Sequence, residues 1–280
     1  MPELPEVETT IRILKQTQPQ ILKAGFVDIW TDFPGTVKKP VKFNRFKKEI
    51  LAKKIKRIWR RGKNIIFELS DDYSLLIHQK LTGHLLYGEW DKKDRANSYI
   101  HLKFFLDNNE ILALSDLRKF AKVELWKTEE LLNSKEFQEL GPDPLDKKFT
   151  FKKYKNLLIN KKIKIKQILM DQKVIAGIGN IYSDEILWRA RVHPFRQVNK
   201  LTEKELKDIY KNIKSVLVKA VKLGGESFSD YRNPAGKKGF FDEERKVYRR
   251  EGEKCPNCGV KIKRLKMGGR SAHFCPFCQK

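Results

Sequence analysis

CPNCGVKIKRLKMGGRSAHFCPFC, residues 255–278, contains every cysteine of the 280-residue chain: Cys255, Cys258, Cys275 and Cys278. The spacing is C-x2-C-x16-C-x2-C. Two knuckles, each with two thiolates two residues apart, supply the four tetrahedral ligands that Zn²⁺ prefers. The alternatives are two disulfides, which a cytosolic chain disfavours, and an iron site. Four thiolates and no spare ligand make one closed, structural zinc site. Metal binding then folds a tail too small to have its own core. Between the knuckles, the first half of VKIKRLKMGGRSAHF alternates like a strand. Gly268-Gly269 is a turn signal and residues 271–274 can return, so the stretch reads as a β-hairpin with Arg270 at its tip.

Upstream of this tail the pattern is helical. Residues 151–160, 165–172 and 180–190 read as short helices. The clearest helix spans 201–223, where Thr202 and Glu205 form a capping box and Gly224-Gly225 closes the end. The stretch 225–241 has no periodicity and is longer than a normal connection, a length that often goes with function. Residues 128–150 form a helix-plus-loop connection, with Gly141-Pro142-Asp143-Pro144 as a boundary signal.

Before residue 128 the chain is β-rich. FVDIW, KRIWR, NIIFEL, SLLIHQKL, YIHLKFFL, EILALSDL and KVELW are short runs separated by turn signals such as Asp71-Asp72 and Asp107-Asn108-Asn109. Many short strands joined by hairpins predict a β-sandwich. Residues 3–17 read as a leading helix, with Leu4, Val7, Ile11 and Leu14 as its apolar stripe. Pro2 and Pro5 are tolerated at a helix start, and Glu3, Glu6 and Glu8 suit the positive end of its dipole. The fold class is therefore α+β.

Composition narrows the function. Lys+Arg is 60 against Asp+Glu 35, a net charge of +25. Such an excess implies an anionic partner, nucleic acid first. A lysine-rich composition alone would spread the charge evenly, whereas here it is segregated. Residues 147–166 hold nine lysines and no acid, and seven basic residues with no acid follow Glu253. The first ten residues hold three glutamates and no base. This suits a protein that grips phosphates broadly and uses carboxylates locally. No run approaches the ~20 apolar residues of a membrane span. No signal peptide is visible, so the expected location is the cytosol.

Two motifs carry chemistry. AGIGN, residues 176–180, is a glycine turn opening a helix, which is either an anion site or a tight helix–helix turn. It lacks the third glycine of a dinucleotide fingerprint. The Met1-Pro2-Glu3 start is more unusual. Methionine before proline is commonly removed, leaving Pro2 with a free secondary amine. An α-amino group has a pKa near 8 and can attack a sugar carbon to form an iminium. Glu3 beside it can protonate a departing or ring-opening oxygen. From residue types alone, the competing reading is a proline-started helix.

PELPEVETT, RRGKNIIFEL, DLRKF, GPDPL, MDQKVIAGIGNIYSDEILWRARVHP, GGESFSDY and GGRSAHFCPFCQK run in order over the whole chain. Together they resemble the bacterial formamidopyrimidine-DNA glycosylases of the formamidopyrimidine-DNA glycosylase and endonuclease VIII superfamily. The resemblance implies four regions. Residues 1–135 form a catalytic β-sandwich and 136–150 a linker. Residues 151–242 form a helix–two-turn–helix domain with a lesion-recognition loop, and 243–280 a zinc finger. DNA lies in a cleft between the two domains. The implied activity is bifunctional: release of 8-oxoguanine and formamidopyrimidines opposite cytosine, then β,δ-elimination at the abasic site. The expected partner is double-stranded DNA carrying an oxidised purine. The protein is expected to be a nucleoid-associated cytoplasmic monomer that does not engage membranes.

The damaged nucleotide is flipped out of the stack, because its sugar carbon cannot be reached in the duplex. By resemblance Pro2 is the nucleophile, Glu3 the acid and Glu6 a supporting carboxylate. Lys63 lies near the flipped nucleotide, and Arg270 grips phosphate for the later elimination. Lys161 and Asn180 contact phosphates. Arg118 and Phe120 fill the gap left by flipping, with Arg118 reading the orphaned cytosine. Their companion is usually a methionine after the His78 region, and here Leu81 stands there, apolar and of similar volume. Tyr99 replaces a DNA-contacting histidine. His101, two residues on, is expected on the same side of the strand as a partial substitute. Two rivals remain. An endonuclease VIII-like enzyme would prefer oxidised pyrimidines, but PELPEVE and DLRKF favour the purine enzyme. A non-enzymatic zinc-containing DNA-binding protein explains charge and cysteines but not the Pro2-Glu3 start.

Overall fold

Strands that bury both faces read as continuous apolar runs, and NIIFEL is such a run. In the computed structural model, which describes residues 1–159, 161–227 and 230–280, it becomes β4 (Asn64–Leu69). Beside it lies β5 (Tyr73–His78). Ile65 and Phe67 of β4 and Leu75 and Ile77 of β5 point into the main core. Ile66 and Leu76 point the other way, onto Leu131 and Phe137. Those two come from α3 (Thr128–Asn133) and α4 (Lys135–Gln138), which cover the outer face.

The sheet is completed by β2 (Val37–Lys39), β3 (Ile55–Arg61) and β9 (Lys122–Lys127), in the order β2-β9-β5-β4-β3. A second, antiparallel sheet is formed by β1 (Phe26–Thr31), β6 (His84–Tyr87), β7 (Ile100–Leu106) and β8 (Ile111–Ser115), in the order β1-β7-β8-β6. Inner residues of both sheets share one core, so the expected sandwich forms. The leading helix α1 (Leu4–Gln16) buries Val7, Ile11 and Leu14 in that core. A second helix, α2 (Phe43–Ile50), adds Phe46 and Ile50.

The chain forms two compact units, Met1–Glu139 with Leu223–Asp242, and Leu140–Lys222 with Glu243–Lys280. In the second unit, α5 (Phe151–Leu158), α6 (Ile165–Met170), α7 (Asn180–Arg189) and α8 (Glu203–Lys222) precede the hairpin β10 (Lys263–Met267) and β11 (Arg270–Phe274). Helix α5 stops at Leu158, short of the expected residue 160, and Asn160 itself lies outside the described residues. Thr202 caps α8 as predicted. Its hydroxyl accepts from the Glu205 N–H at 3.2 Å, and its own N–H donates to the Glu205 carboxylate at 2.7 Å. The strands β2 and β6, the helix α2 and a short helix at Phe241–Glu244 were among the elements not legible in the sequence. Among the described residues, no helix is long and apolar enough to cross a membrane.

Candidate active site and zinc centre

The reactive end is built by α1. Glu3 is the N-cap and Glu6 the third helical residue, and Pro2, Glu3 and Glu6 are all buried. The Glu6 carboxylate accepts the Glu3 backbone N–H at 2.7 Å, which fixes the peptide that follows Pro2. Lys63 follows Gly62 in the tight β3–β4 turn, where Gly62 adopts φ +58°, and its side chain is buried too. An ion pair ties that hairpin to α1: Glu8 accepts from Arg60 Nε at 3.1 Å, and within α1 it also accepts from Arg12 Nε at 2.8 Å. The amino terminus of the described chain, that of Met1, feels the charges of Glu3, Glu6, Lys63 and Asp230. Burial is the largest influence and holds its pKa below the ordinary value of 8.0. A chain terminus whose amine is held below its ordinary pKa, next to the buried Pro2, is suited to nucleophilic work at neutral pH. Asp230 was not singled out from the sequence, because it is brought here by a loop that starts more than 200 residues away.

Three predicted gap-filling residues come together. Asp116 is buried, and its carboxylate accepts the Ala121 N–H at 2.7 Å, the Arg118 N–H at 3.3 Å and the Thr82 hydroxyl. Thr82 Oγ1 in turn accepts the Arg118 N–H at 3.1 Å. The Asp116 turn therefore clamps the 117–120 loop to the turn that bears Leu81. Gly83 makes the second turn possible, since a Cβ there would lie 2.5 Å from the Gln79 carbonyl. Phe120 is 51% exposed and the Arg118 guanidinium sits 5.0 Å from its ring centroid. Leu81 is half-buried. An exposed aromatic, an arginine and an aliphatic side chain on one rigid platform can enter a base stack.

Other predicted contacts are placed differently. The His78 ring accepts the Lys80 N–H at 2.9 Å. Burial first, then the charges of Lys80, Lys63 and Lys122, push its pKa down to about 3, so it carries no charge toward a phosphate at neutral pH. Tyr99 precedes β7 with φ −90° and ψ 50°, and the ladder slips between Ile100 and Leu102. The strand alternation that was to align Tyr99 with His101 is thus interrupted. The Tyr99 hydroxyl accepts from Arg95 Nε at 2.8 Å, and His101 Nδ1 pairs with Asp32 at 2.9 Å.

In the second unit, the AGIGN turn is stapled by Gln172. Its Oε1 accepts the Gly177 N–H at 2.8 Å and its Nε2 donates to the Ile178 carbonyl at 2.7 Å. The Gly177 N–H is therefore already used within the protein. Asn180 opens α7 with its Oδ1 lacking a hydrogen-bond partner among the described residues, and Lys161 lies half-buried after α5. Behind Asn180 lies a buried charge network. Lys166 Nζ donates to Asp184 Oδ1 at 2.5 Å and to the Ser271 carbonyl at 2.9 Å. Asp184 Oδ2 accepts from the His273 N–H at 3.0 Å and from His273 Nδ1 at 2.9 Å. This fixes β11, and with it the exposed Arg270 at its start, against α6 and α7.

The four cysteine sulfurs lie within 4.8 Å of one another. Cys258–Cys275 and Cys255–Cys278 are 3.4 and 3.9 Å apart. A tetrahedron with Zn–S of ~2.3 Å has edges of ~3.8 Å, so the set fits one Zn²⁺. Asn257 Nδ2 donates to Cys278 Sγ at 3.1 Å, the outer support that metal thiolates use.

Three family profiles match in chain order. They are the formamidopyrimidine-DNA glycosylase N-terminal domain over residues 1–123, its H2TH domain over 140–232, and the zinc finger found in FPG and IleRS over 252–280. The formamidopyrimidine-DNA glycosylase of Pelotomaculum thermopropionicum is 39% identical, covering 100% of this chain and 99% of its own. The chain belongs to the formamidopyrimidine-DNA glycosylase family. That family comprises DNA glycosylases of base-excision repair, and its zinc finger accounts for the cysteine tetrad. The family member of Lactococcus lactis subsp. lactis is 38% identical over 100% of both chains. The wild-type Lactococcus lactis Fpg in complex with DNA containing N7-benzyl-Fapy-dG is 36% identical, with a TM-score of 0.88 over 100% of both chains. A MutM structure in complex with DNA containing carbocyclic 8-oxo-G is 37% identical, with a TM-score of 0.87 and the same coverage.

Proposed function

We propose that this formamidopyrimidine-DNA glycosylase family member releases oxidised purines paired with cytosine and then cuts the strand as a lyase, acting in the bacterial cytoplasm. Pro2, buried at the head of α1 beside the buried Glu3 and Glu6, with Lys63 and Asp230 acting electrostatically on the amino terminus, carries this reading. Removal of Met1 makes the Pro2 nitrogen the chain terminus. That nitrogen attacks C1′ of the extrahelical nucleotide, the N-glycosidic bond breaks, and the base leaves with the bonding pair. Glu3 delivers a proton to the sugar ring oxygen, so the ring opens and the nitrogen–carbon bond becomes an iminium. The iminium acidifies C2′, and loss of that proton expels the 3′ phosphate. A second elimination expels the 5′ phosphate, and hydrolysis frees Pro2.

Lys63, buried in the β3–β4 turn and acting electrostatically on the amino terminus, counters charge on the flipped nucleotide and its phosphates. Arg270 steadies the phosphate that departs. Leu81, Arg118 and Phe120 occupy the gap, with the Arg118 guanidinium offered to the orphaned cytosine. The zinc ion is structural: Cys255, Cys258, Cys275 and Cys278 hold it, and no chemical step passes through it. The relatives in complex with N7-benzyl-Fapy-dG and carbocyclic 8-oxo-G DNA support the choice of substrate.

The test is a duplex panel with borohydride present. An 8-oxoguanine–cytosine duplex should give a covalent protein–DNA adduct, and a thymine glycol duplex much less. Preference for thymine glycol would move the protein to the endonuclease VIII side of the superfamily. No adduct from correctly processed protein would leave only DNA binding.

A further inference from the structure

Glu6 does more than complete the α1 cap. It is 1% exposed, and each carboxylate oxygen is used. Oε2 accepts the Glu3 N–H at 2.7 Å and Oε1 accepts the Glu226 N–H at 2.8 Å. Its backbone carbonyl accepts the Tyr231 hydroxyl at 2.9 Å, and the Thr10 hydroxyl donates to the same oxygen at 2.9 Å. Tyr231 is itself buried. A single residue of α1 therefore holds the chain at Glu226 and again at Tyr231, while fixing the peptide next to Pro2.

The backbone that reaches Glu6 is shaped for it. Gly225 adopts φ +82°, and a Cβ there would lie 2.7 Å from Glu6 Oε1 and 2.9 Å from its Cγ. A side chain contacted at its tip can usually swing away, but this one is pinned at both oxygens. The approach is held from behind as well, because the Gly225 carbonyl accepts the Phe241 N–H at 3.1 Å. A Cβ on Gly239 would meet the Gly224 and Gly225 carbonyls at 2.4 Å.

We infer that Glu6 is a positioning residue coupling the Gly225–Glu226 backbone to the nucleophile, so that placement of this segment sets the attack geometry even when there is no base to recognise. The inference rests on the proposed lyase chemistry at Pro2. It goes further in assigning Gly225 a part in a step where a base-recognition segment has nothing to bind. A displaced 225–226 backbone pulls Oε1, the rigid carboxylate turns, and the Glu3 amide loses its 2.7 Å acceptor. The Pro2 nitrogen then leaves its line of attack on C1′.

The experiment compares borohydride trapping on a duplex carrying a preformed abasic site, with enzyme saturating, for three proteins with mature N-termini. They are the unsubstituted chain, Gly225→Ala and Asn233→Ala. Asn233 holds a turn in the same segment by accepting the Ala235 N–H at 3.0 Å and the Lys237 N–H at 3.2 Å. Gly225→Ala should slow adduct formation by roughly 10- to 100-fold, the scale of an ångström-level misplacement, with affinity for the abasic duplex unchanged. Asn233→Ala should trap at the rate of the unsubstituted protein. Should Gly225→Ala fail to fold, Tyr231→Phe carries the same test, since it deletes only the hydroxyl on the Glu6 carbonyl. It should slow trapping several-fold, again without loss of affinity. Gly225→Ala or Tyr231→Phe trapping abasic DNA at full rate while losing 8-oxoguanine release overturns the coupling and leaves the lyase reading intact. Equal slowing by Asn233→Ala also overturns it, since general loosening would then explain the effect. No adduct from the unsubstituted protein overturns the underlying lyase chemistry, and the coupling with it.

Discussion

Lys166→Met should be among the most destabilising substitutions available in the second unit. Lys166 and Asp184 are both fully buried and 2.5 Å apart, and the ammonium also donates to the carbonyls of Ser271 at 2.9 Å and Asn180 at 3.4 Å. Methionine fills nearly the same volume, so packing is kept and the charge is lost. The Asp184 carboxylate then remains buried with only the two His273 donors. Removing one partner of such a pair typically costs about 3–5 kcal/mol, because an uncompensated charge stays behind. In a unit of this size that lowers the melting temperature by roughly 10 °C or more.

The assay is urea unfolding of the zinc-loaded full chain, together with the double variant Lys166→Met/Asp184→Asn. Neutralising the orphaned carboxylate should return part of the loss, so the double variant is more stable than Lys166→Met alone. Arg270 directly precedes Ser271, so strand cleavage should fall as β11 loosens. A cost below about 1 kcal/mol for Lys166→Met, or a double variant no better than the single, would refute the reasoning: the pair would then behave like a surface ion pair.

Three other outcomes follow from the structure. Glu3→Gln should keep affinity for 8-oxoguanine DNA in a gel-shift or anisotropy titration while base release falls by roughly 10²–10⁴-fold, the usual worth of a positioned acid. Stripping the metal with a strong chelator should unfold residues 252–280 and abolish lesion processing, with near-complete recovery on adding Zn²⁺; full turnover after verified metal loss would contradict this. Acid should destabilise the first unit through His84, which is buried, has its Nε2 3.0 Å from Asn97 Oδ1, and has its pKa pushed down to about 4 chiefly by burial. The unfolded chain takes up a proton near pH 6.5 and the folded one does not. Stability is therefore complete above pH 6.5 and falls by on the order of 2–3 kcal/mol by pH 4.5. His84→Gln should give a shallower fall in melting temperature over that range.

What the sequence revealed depends on how far apart the cooperating residues lie. The zinc tail was legible because each knuckle is a local unit, and the hairpin between them closes on Gly268-Gly269. The sandwich strands showed as apolar runs because α3 and α4 cover the outer face of β4 and β5. Short elements stayed hidden. Strand β2 is three residues long and exists only by parallel pairing with β9. Helix α2 is half charged and is recognisable only once Phe46 and Ile50 meet the core. The polar clamps were invisible for a different reason. Thr82–Asp116, Asp184–His273 and Glu6–Glu226 join residues 34, 89 and 220 positions apart, and no spacing rule reports such partners. The same holds for Asp230 beside the amine. For Tyr99 and His101 the limit is different: an alternation rule was applied where the strand begins irregularly.

The proposed chemistry stands on the identity of the nucleophile. The protein should be trapped with borohydride on 8-oxoguanine DNA, digested, and the site of the nucleotide adduct read by tandem mass spectrometry. The adduct should lie on the nitrogen of Pro2 in a chain lacking Met1, and acetylation of that nitrogen beforehand should abolish it. An adduct on Lys63 or another lysine, or undiminished trapping by the acetylated protein, would contradict the central claim.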